Sequence, residues 1–469
     1  MKKWNGECTT ILVGKDASID GSTMIARNED GHEAVGPKQF LVINPEDQMR
    51  SYESVISKVK IELPDNPLRY TVMPNAVRDQ GIWGEAGINS KNVAMSATET
   101  ITTNARILGV DPYVDGGIGE EDMVTIVLPY ISSAKEGVER LGMLTEKFGT
   151  YEPNGVAFSD KDEVWWYESI GGHHWAAVRV PDDSYVVAPN RFNIDHFDFA
   201  SKDYLCSKDL EQLIMDNNLN ASKDGSINLR HIFGSATIKD HHYNNPRTWY
   251  IQKFFNKELN NQPMDDDQPF ILVPNKKICM EDIKFLLSSH YQDTPYDPYS
   301  TISDPETKKL FRPIGINRNH SVHLCQIRNN VPEEIAGVHW LAFGPNTFNA
   351  LVPFYSNVTK TPKAYANATG TGDFTNMYWL TCAIALLGDY NYDLYSDLEN
   401  AFEQNAHASF RNITMKADKE AVNKKDINKY LEKINDELSE DSLKRSTKLL
   451  EDMVVLGSPH MKLRYSLGD

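Results

Sequence analysis

An α+β fold is what the sequence predicts, and three stretches predict it. Between residues 155 and 188 four β-prone runs, Gly155–Ser159, Val164–Ser169, His174–Val180 and Tyr185–Ala188, alternate with the turn-forming stretches Asp160-Lys-Asp-Glu163, Ile170-Gly-Gly-His173 and Pro181-Asp-Asp-Ser184, in the pattern of an antiparallel meander. Ser133-x-x-Glu136 has the form of a helix-opening capping box, and behind it Val138, Leu141, Leu144 and Phe148 share one helical face until Gly149. From Leu394 to Met453 the chain is helix-prone, charged and poor in glycine and proline. Strands and capped helices in one chain bury their apolar faces on each other, so sheet layers covered by helices are expected.

Taken in order, the first element is a hairpin. Cys8-Thr-Thr-Ile-Leu-Val13 and a second run ending in Ala26-Arg27-Asn28-Glu29-Asp30 flank Asp20-Gly21, a turn dipeptide. Antiparallel pairing then returns Arg27 and Asp30 towards Cys8. Glu120 to Tyr130 is a compact apolar stretch leading to the capped helix. Beyond the meander, Ser321–Arg328, Gly337–Phe343 and Ala350–Tyr355 are β-like, and Asn376–Leu387 reads as an apolar helix. The tail does not sustain a/d heptads, which favours helices packed on the body or at a contact between subunits of a homo-oligomer over an independent coiled coil. The expected organisation is a leader at 1–7 removed on maturation, a body at 8–390 and a helical extension at 391–469 packed on that body.

With 469 residues, 40% hydrophobic and 24% charged, the chain can bury a large core. A net charge of −18 argues against nucleic acid or an anionic membrane as partner, since phosphate binding needs a basic footprint. Lys2 and Lys3 are not followed by an apolar core, and no run approaches twenty apolar residues, so a cytoplasmic location is expected. The five cysteines, Cys8, Cys206, Cys279, Cys325 and Cys382, lack metal-like pair spacing. His173-His174, His241-His242 and His320-x-x-His323 form no His-Glu-x-x-His motif, and no metal is assigned to them. Gly116-Gly117-x-Gly119 is followed by Glu120-Glu121-Asp122, which would repel a phosphate from the helix N-terminus that a phosphate loop uses. Trp165, Trp166, Trp175 and Trp340 read as core or pocket wall, with Trp340 kept as a candidate substrate contact.

Cys8 carries the chemistry. If the Glu7–Cys8 bond is cut, one residue holds both a thiol and a free α-amine, whose pKa of about 8 makes it a far better proton acceptor than an amide. Arg27 near the sulfur favours thiolate, and Asp30 can hold the amine. The plainer account of each residue is a small buried hydrophobe opening a strand and an exposed loop ion pair.

The segments Cys8-Thr-Thr-Ile-Leu-Val-Gly14, Asp20-Gly-Ser22 and Ala26-Arg-Asn-Glu-Asp30 resemble those of the cysteine N-terminal-nucleophile hydrolases, the branch that includes penicillin V acylase and bile salt hydrolase. Within it they look most like the bacterial dipeptidase A family. The resemblance is specific over the first thirty residues and weaker over most of the rest. It implies a four-layer αββα sandwich, with Cys8 as nucleophile, Arg27 as thiolate stabiliser and Asp30 as orienter of amine and substrate. It further implies that Asn190, in Val187-Ala-Pro-Asn190, helps bind the oxyanion and that Arg247, in Asn245-Pro-Arg247, belongs to the site.

One position departs from the acylases. Glu99 falls about where they carry an oxyanion-hole asparagine, and an ionised carboxylate only accepts. A backbone N–H near Thr98 or Glu99 is then the expected donor, with Glu99 free to bind the ammonium of a small peptide. The expected reaction is dipeptide hydrolysis through a thioester on Cys8, needing neither metal nor organic cofactor. The alternatives are an amidase acting on N-acyl compounds and a non-catalytic interaction protein of the same fold.

Overall fold

The computed structural model describes residues 8–33, 35–463 and 465, and the leader expected at 1–7 lies outside them. The fold is α+β. Its two large sheets are antiparallel. One has seven strands in the order Ile271–Leu272, Tyr185–Ala188, Thr9–Val13, Thr23–Asp30, Asn319–Ile327, Gly337–Phe343, Val352–Tyr355. The other has six, in the order Tyr204–Cys206, His174–Val180, Val164–Ile170, Asn154–Ser159, Ala94–Thr100, Ala86–Ile88.

The expected hairpin is central to the seven-stranded sheet. Asp20 Oδ1 accepts the Ser22 N–H at 3.2 Å, Gly21 takes φ +77°, and the register places Thr10 opposite Arg27. Three of the four runs read as a meander pair in succession. The fourth does not: Tyr185–Ala188 crosses to the other sheet and pairs with Thr9–Val13. The intervening turn explains this. Gly14 N–H donates to Ser184 O at 2.9 Å and Asp16 N–H to Asp182 O at 2.7 Å, so the turn carbonyls are anchored on the end of the first strand and do not close a hairpin.

The capped helix runs Ala134–Phe148, with Ser133 Oγ accepting the Glu136 N–H at 3.1 Å and Gly149 ending it at φ +73°. The returning arm of the box goes one residue further back, Glu136 accepting from Ser132 N–H at 2.6 Å. This helix and Glu120–Val127 cover the outer face of the six-stranded sheet, where Val124, Leu128, Val138 and Leu141 meet Phe158 and Trp165. Leu12, Ile25, Trp166, Val178 and Val186 fill the space between the sheets. Ile11, Ala26, Leu324 and Trp340 face the other way, onto Leu380, Leu431 and Leu438 of the later helices. Full burial of each such side chain contributes about 1.5–3 kcal/mol.

The helix-prone tail forms Tyr392–Ala421 and Ile427–Gly457, which pack on each other and on the strand Val352–Tyr355. Asn435 covers that sheet edge: its Oδ1 accepts the Tyr355 N–H at 2.9 Å and its Nδ2 donates to the Tyr355 carbonyl at 3.0 Å. Among the described residues no helix is long and apolar enough to cross a membrane.

Candidate active site

Strand parity decides what Cys8 can touch. Residues directly opposite in an antiparallel pair share a face, and alternate residues along a strand change face. Thr10, Arg27 and His323 lie opposite one another across three strands and point into the space between the sheets, as does Cys8 two residues before Thr10. Arg27 Nη1 donates to Cys8 Sγ at 3.0 Å and to the Thr98 carbonyl at 2.6 Å. Its Nη2 donates to the Ala97 carbonyl at 3.0 Å and to Glu85 Oε2 at 2.5 Å, and its Nε to Ser96 Oγ at 3.3 Å.

A run of buried charges extends from this arginine. Glu85 Oε1 pairs with Lys38 Nζ at 2.9 Å, and Lys38, fully enclosed, also pairs with Glu29. Glu120 Oε1 lies 3.9 Å from Arg27 Nη1. Burial, with Glu29 adding to it, raises Glu85 above its ordinary value against the pull of Lys38 and Arg27, while its direct ion pairs with those two cations favour the carboxylate. Burial also pushes Glu120 well up, and Glu85 adds to it, which favours the neutral acid. The Cys8 thiol is pushed well above its ordinary value by burial; Arg27 opposes this, while Glu99, Glu120 and Asp30 reinforce it.

On the carbonyl side of Cys8 stands Arg247, in the first turn of the helix Asn245–Phe255, which continues from a wider π-type turn at Asp240–Asn244. Arg247 Nη1 donates to the Cys8 carbonyl and, at 2.7 Å, to Thr9 Oγ1. Its Nη2 donates to Asn190 Oδ1 at 2.8 Å and to Asn244 Oδ1 at 2.7 Å. Holding the oxygen of the Asn190 amide fixes where its NH₂ points, and Asn190 Nδ2 donates to the Thr100 carbonyl at 3.0 Å.

Asp30 ends the second strand, where Arg312 pairs with one carboxylate oxygen and Asn319 Nδ2 donates to the other at 3.0 Å. Glu99 Oε2 accepts from the Thr10 hydroxyl at 2.7 Å, while its Oε1 is buried without a partner among the described residues. Burial pushes Glu99 up to about 8 against the pull of Arg247 and Thr10. Thr98 offers no spare N–H, because that group donates to Glu120 Oε1 at 3.3 Å; its hydroxyl is buried and without a partner among the described residues.

The structure thus brings Cys8, Arg27, Asp30, Thr98, Glu99, Asn190 and Arg247 around one point. It does not bring Trp340. Trp340 is opposite Leu324, on the parity that faces the helices, and its indole N–H donates to Gln326 Oε1 at 2.9 Å within the core. The expectation of a substrate contact is corrected by that register: its neighbour Leu341, not Trp340, lies opposite His323.

Sequence reasoning missed Glu85, Lys38, Glu29, Glu120, Arg312 and Asn244. A usable signal existed only for Glu120, in three successive acids at a helix start, all of which are buried. Of the histidine pairs, His173 and His174 both meet the Asp111 carboxylate, at 3.1 and 2.7 Å, and His323 Nε2 meets Ser96 Oγ at 2.8 Å. Among the described residues no three His, Cys, Asp or Glu side chains form a group that could hold a metal ion.

Residues 7–405 match Peptidase family C69. Over 467 residues, 99% of this chain and 98% of the relative, the sequence is 61% identical to "Probable dipeptidase B" of Lactococcus lactis subsp. lactis (strain IL1403). Over 472 residues, 99% of each chain, it is 56% identical to "Dipeptidase A" of Lactobacillus helveticus. A solved conjugated bile acid hydrolase from Clostridium perfringens aligns over 74% of this chain and 92% of its own, with 9% identity and a TM-score of 0.31. The chain belongs to peptidase family C69, and is a peptidase.

Proposed function

We propose that this peptidase hydrolyses dipeptides with Cys8 as an N-terminal nucleophile, exposed by cleavage of the Glu7–Cys8 bond, on a four-layer αββα sandwich of the N-terminal-nucleophile hydrolase type. The observation that carries the reading is the 3.0 Å contact between Arg27 Nη1 and a fully buried Cys8 sulfur at the very head of a strand. A packing cysteine has no use for a buried guanidinium. The names of the relatives support the substrate class.

Burial holds the sulfur as a thiol, so a base is needed beside it. The freed α-amine, with a pKa of about 8, takes the thiol proton. The thiolate then forms a C–S bond to the scissile carbonyl carbon, whose π electrons move to oxygen. Collapse of that intermediate breaks the C–N bond, and the α-ammonium returns the proton to the departing amine. Water attacks the thioester with the α-amine again as base, and the acid and the thiol are released. Asn190, its amide oriented by Arg247, and the Thr98 hydroxyl are the donors nearest the oxyanion in this reading. Asp30, fixed by Arg312 and Asn319, orients the amine, and Glu99 receives the substrate ammonium.

Intact mass and activity together test the reading. Active enzyme should begin at Cys8, and Cys8→Ala should keep Met1 to Glu7, fold normally by circular dichroism and cut no dipeptide. Activity in protein that still begins at Met1 refutes the nucleophile.

A further inference from the structure

A cavity of about 500 Å³ lies one aromatic ring away from the residues that hold Cys8, and its charged lining is all basic: Lys239, His242, Lys308, Lys309 and Arg312. Among the described residues no aspartate or glutamate lines it. In a chain of net charge −18 that concentration of positive charge has to be built. Lys308 is tied down by donating to the Ser300 carbonyl at 3.0 Å, and neither Lys308 nor Lys309 forms an ion pair among the described residues. Phe311 and Pro313 give the cavity an apolar side.

The separating ring is Tyr243. The Arg247 guanidinium carbon is 5.1 Å from its centroid and that of Arg312 is 5.2 Å away, while the Lys239 ammonium lies 5.0 Å from it. Arg247 reaches on to the Cys8 carbonyl and Arg312 to Asp30. Polarity therefore reverses across Cys8, with the buried carboxylate of Glu99 on the Thr10 side and a basic cavity beyond Tyr243. A dipeptide is a zwitterion of matching polarity.

We propose that this cavity binds the α-carboxylate of the residue that leaves, so that the enzyme favours peptides whose chain ends one residue past the scissile bond. The inference rests on the reading of Cys8 as nucleophile. The volume is in the range of small-molecule sites and admits an amino-acid residue of any size. Because several of the cations are partly in water, the attraction is moderate, salt-sensitive and expressed in KM more than in kcat.

The test compares Leu-Leu with Leu-Leu-amide on processed wild type and on the double variant Lys239→Met/Lys309→Met. Wild type should cut the free acid at a kcat/KM roughly tenfold or more above the amide. The double variant should lose most of that preference through a higher KM for the acid, with the amide and kcat unchanged, and added salt should erode the wild-type preference. Equal kcat/KM for acid and amide in wild type, or equal losses on both in the variant, overturns the proposal. Calorimetric titration of the processed protein with L-leucine and with L-leucinamide reads the cavity without hydrolysis. Tighter binding of leucine, weakened in the double variant, supports the proposal, and equal binding overturns it. If wild type cuts no dipeptide, the dipeptidase reading falls while the leucine titration still decides the cavity.

Discussion

Arg27 and Arg247 both touch Cys8, the first at its sulfur and the second at its carbonyl oxygen, but one is paired with a carboxylate and the other is hydrogen-bonded, among the described residues, only to neutral acceptors. Around Arg27 are Glu85 and Glu120, with Lys38 and Glu29 behind them, all buried. Burial lowers its proton affinity, but Cys8, Glu85, Glu120 and Glu29 outweigh that and hold it well above its ordinary value. Around Arg247 the acceptors are Asn190, Asn244, Thr9 and two carbonyls, and burial with Arg312 nearby lowers it. The difference separates two jobs. In the proposed reaction Arg27 controls charge at the sulfur, and Arg247 controls the position of the strand's first residue and of the Asn190 amide.

Breaking the charged side should have the larger effect. Glu85→Ala leaves Arg27 and Lys38 each short of a partner in the interior, a change that costs about 3–5 kcal/mol for a buried pair. Urea denaturation should show that loss directly. Glu85→Gln sharpens the comparison, since it keeps the shape and an acceptor but removes the charge. It should lose less stability yet lower kcat at least about tenfold, because an uncompensated Arg27 and Lys38 would relax away from the sulfur. A Gln variant with wild-type kcat would show that Arg27 needs an acceptor there and not an anion.

On the neutral side, Asn244→Ala removes one acceptor from Arg247 and one donor to the Asn190 carbonyl. The expected stability loss is about 1–3 kcal/mol, typical of a buried hydrogen-bonding group left unpaired. Its kcat should fall while the shape of the pH–rate profile stays that of wild type, since Asn244 bonds neither Cys8 nor Glu99, and the carboxylate it does bond, Asp240 at 2.6 Å, has no role in the proposed reaction. A shifted profile would mean that Arg247 also sets charge, and the division between the two arginines would collapse.

Legibility in the sequence followed the range of the contact. The hairpin was readable because Asp20-Gly21 and two β-prone runs lie within thirty residues, and counting back from the turn places Arg27 near Cys8. Glu85 was not, because it reaches Arg27 from 58 positions away, on a residue held at φ +55° where a side chain other than glycine is uncommon. Lys38 was hidden by its type: lysine is almost never fully buried unless paired, and although Glu29 is close in sequence no regular turn links the two, while Glu85 is 47 positions away. The crossing of Tyr185–Ala188 to the second sheet depends on where the Pro181–Ser184 turn docks, which no local pattern encodes. Trp340 failed for a related reason, since the face of a strand is set by register with its neighbours and a one-residue difference reverses it.

The smallest expected effect lies at Glu99, where the two regions meet: Arg247 pulls its proton affinity down most, and Arg27 adds to that pull, while burial leaves it at about 8. Below pH 8 the group is mostly protonated, and a substrate ammonium favours the ionised form, so binding must expel a proton. For an unblocked dipeptide kcat/KM should then rise from about pH 6 towards 8, by up to about tenfold per unit. The Cys8 α-amine titrates in the same range and would add a rise of its own, so a single profile does not isolate Glu99. The ratio of kcat/KM for an unblocked dipeptide to that for its N-acetyl form does, because the amine acts on both substrates and only the first carries an ammonium. In wild type this ratio should exceed one and climb with pH up to about 8. In Glu99→Gln it should fall towards one and become flat, with a loss of a few-fold at pH 7. A ratio that keeps both its size and its slope in Glu99→Gln would move ammonium recognition to Asp30.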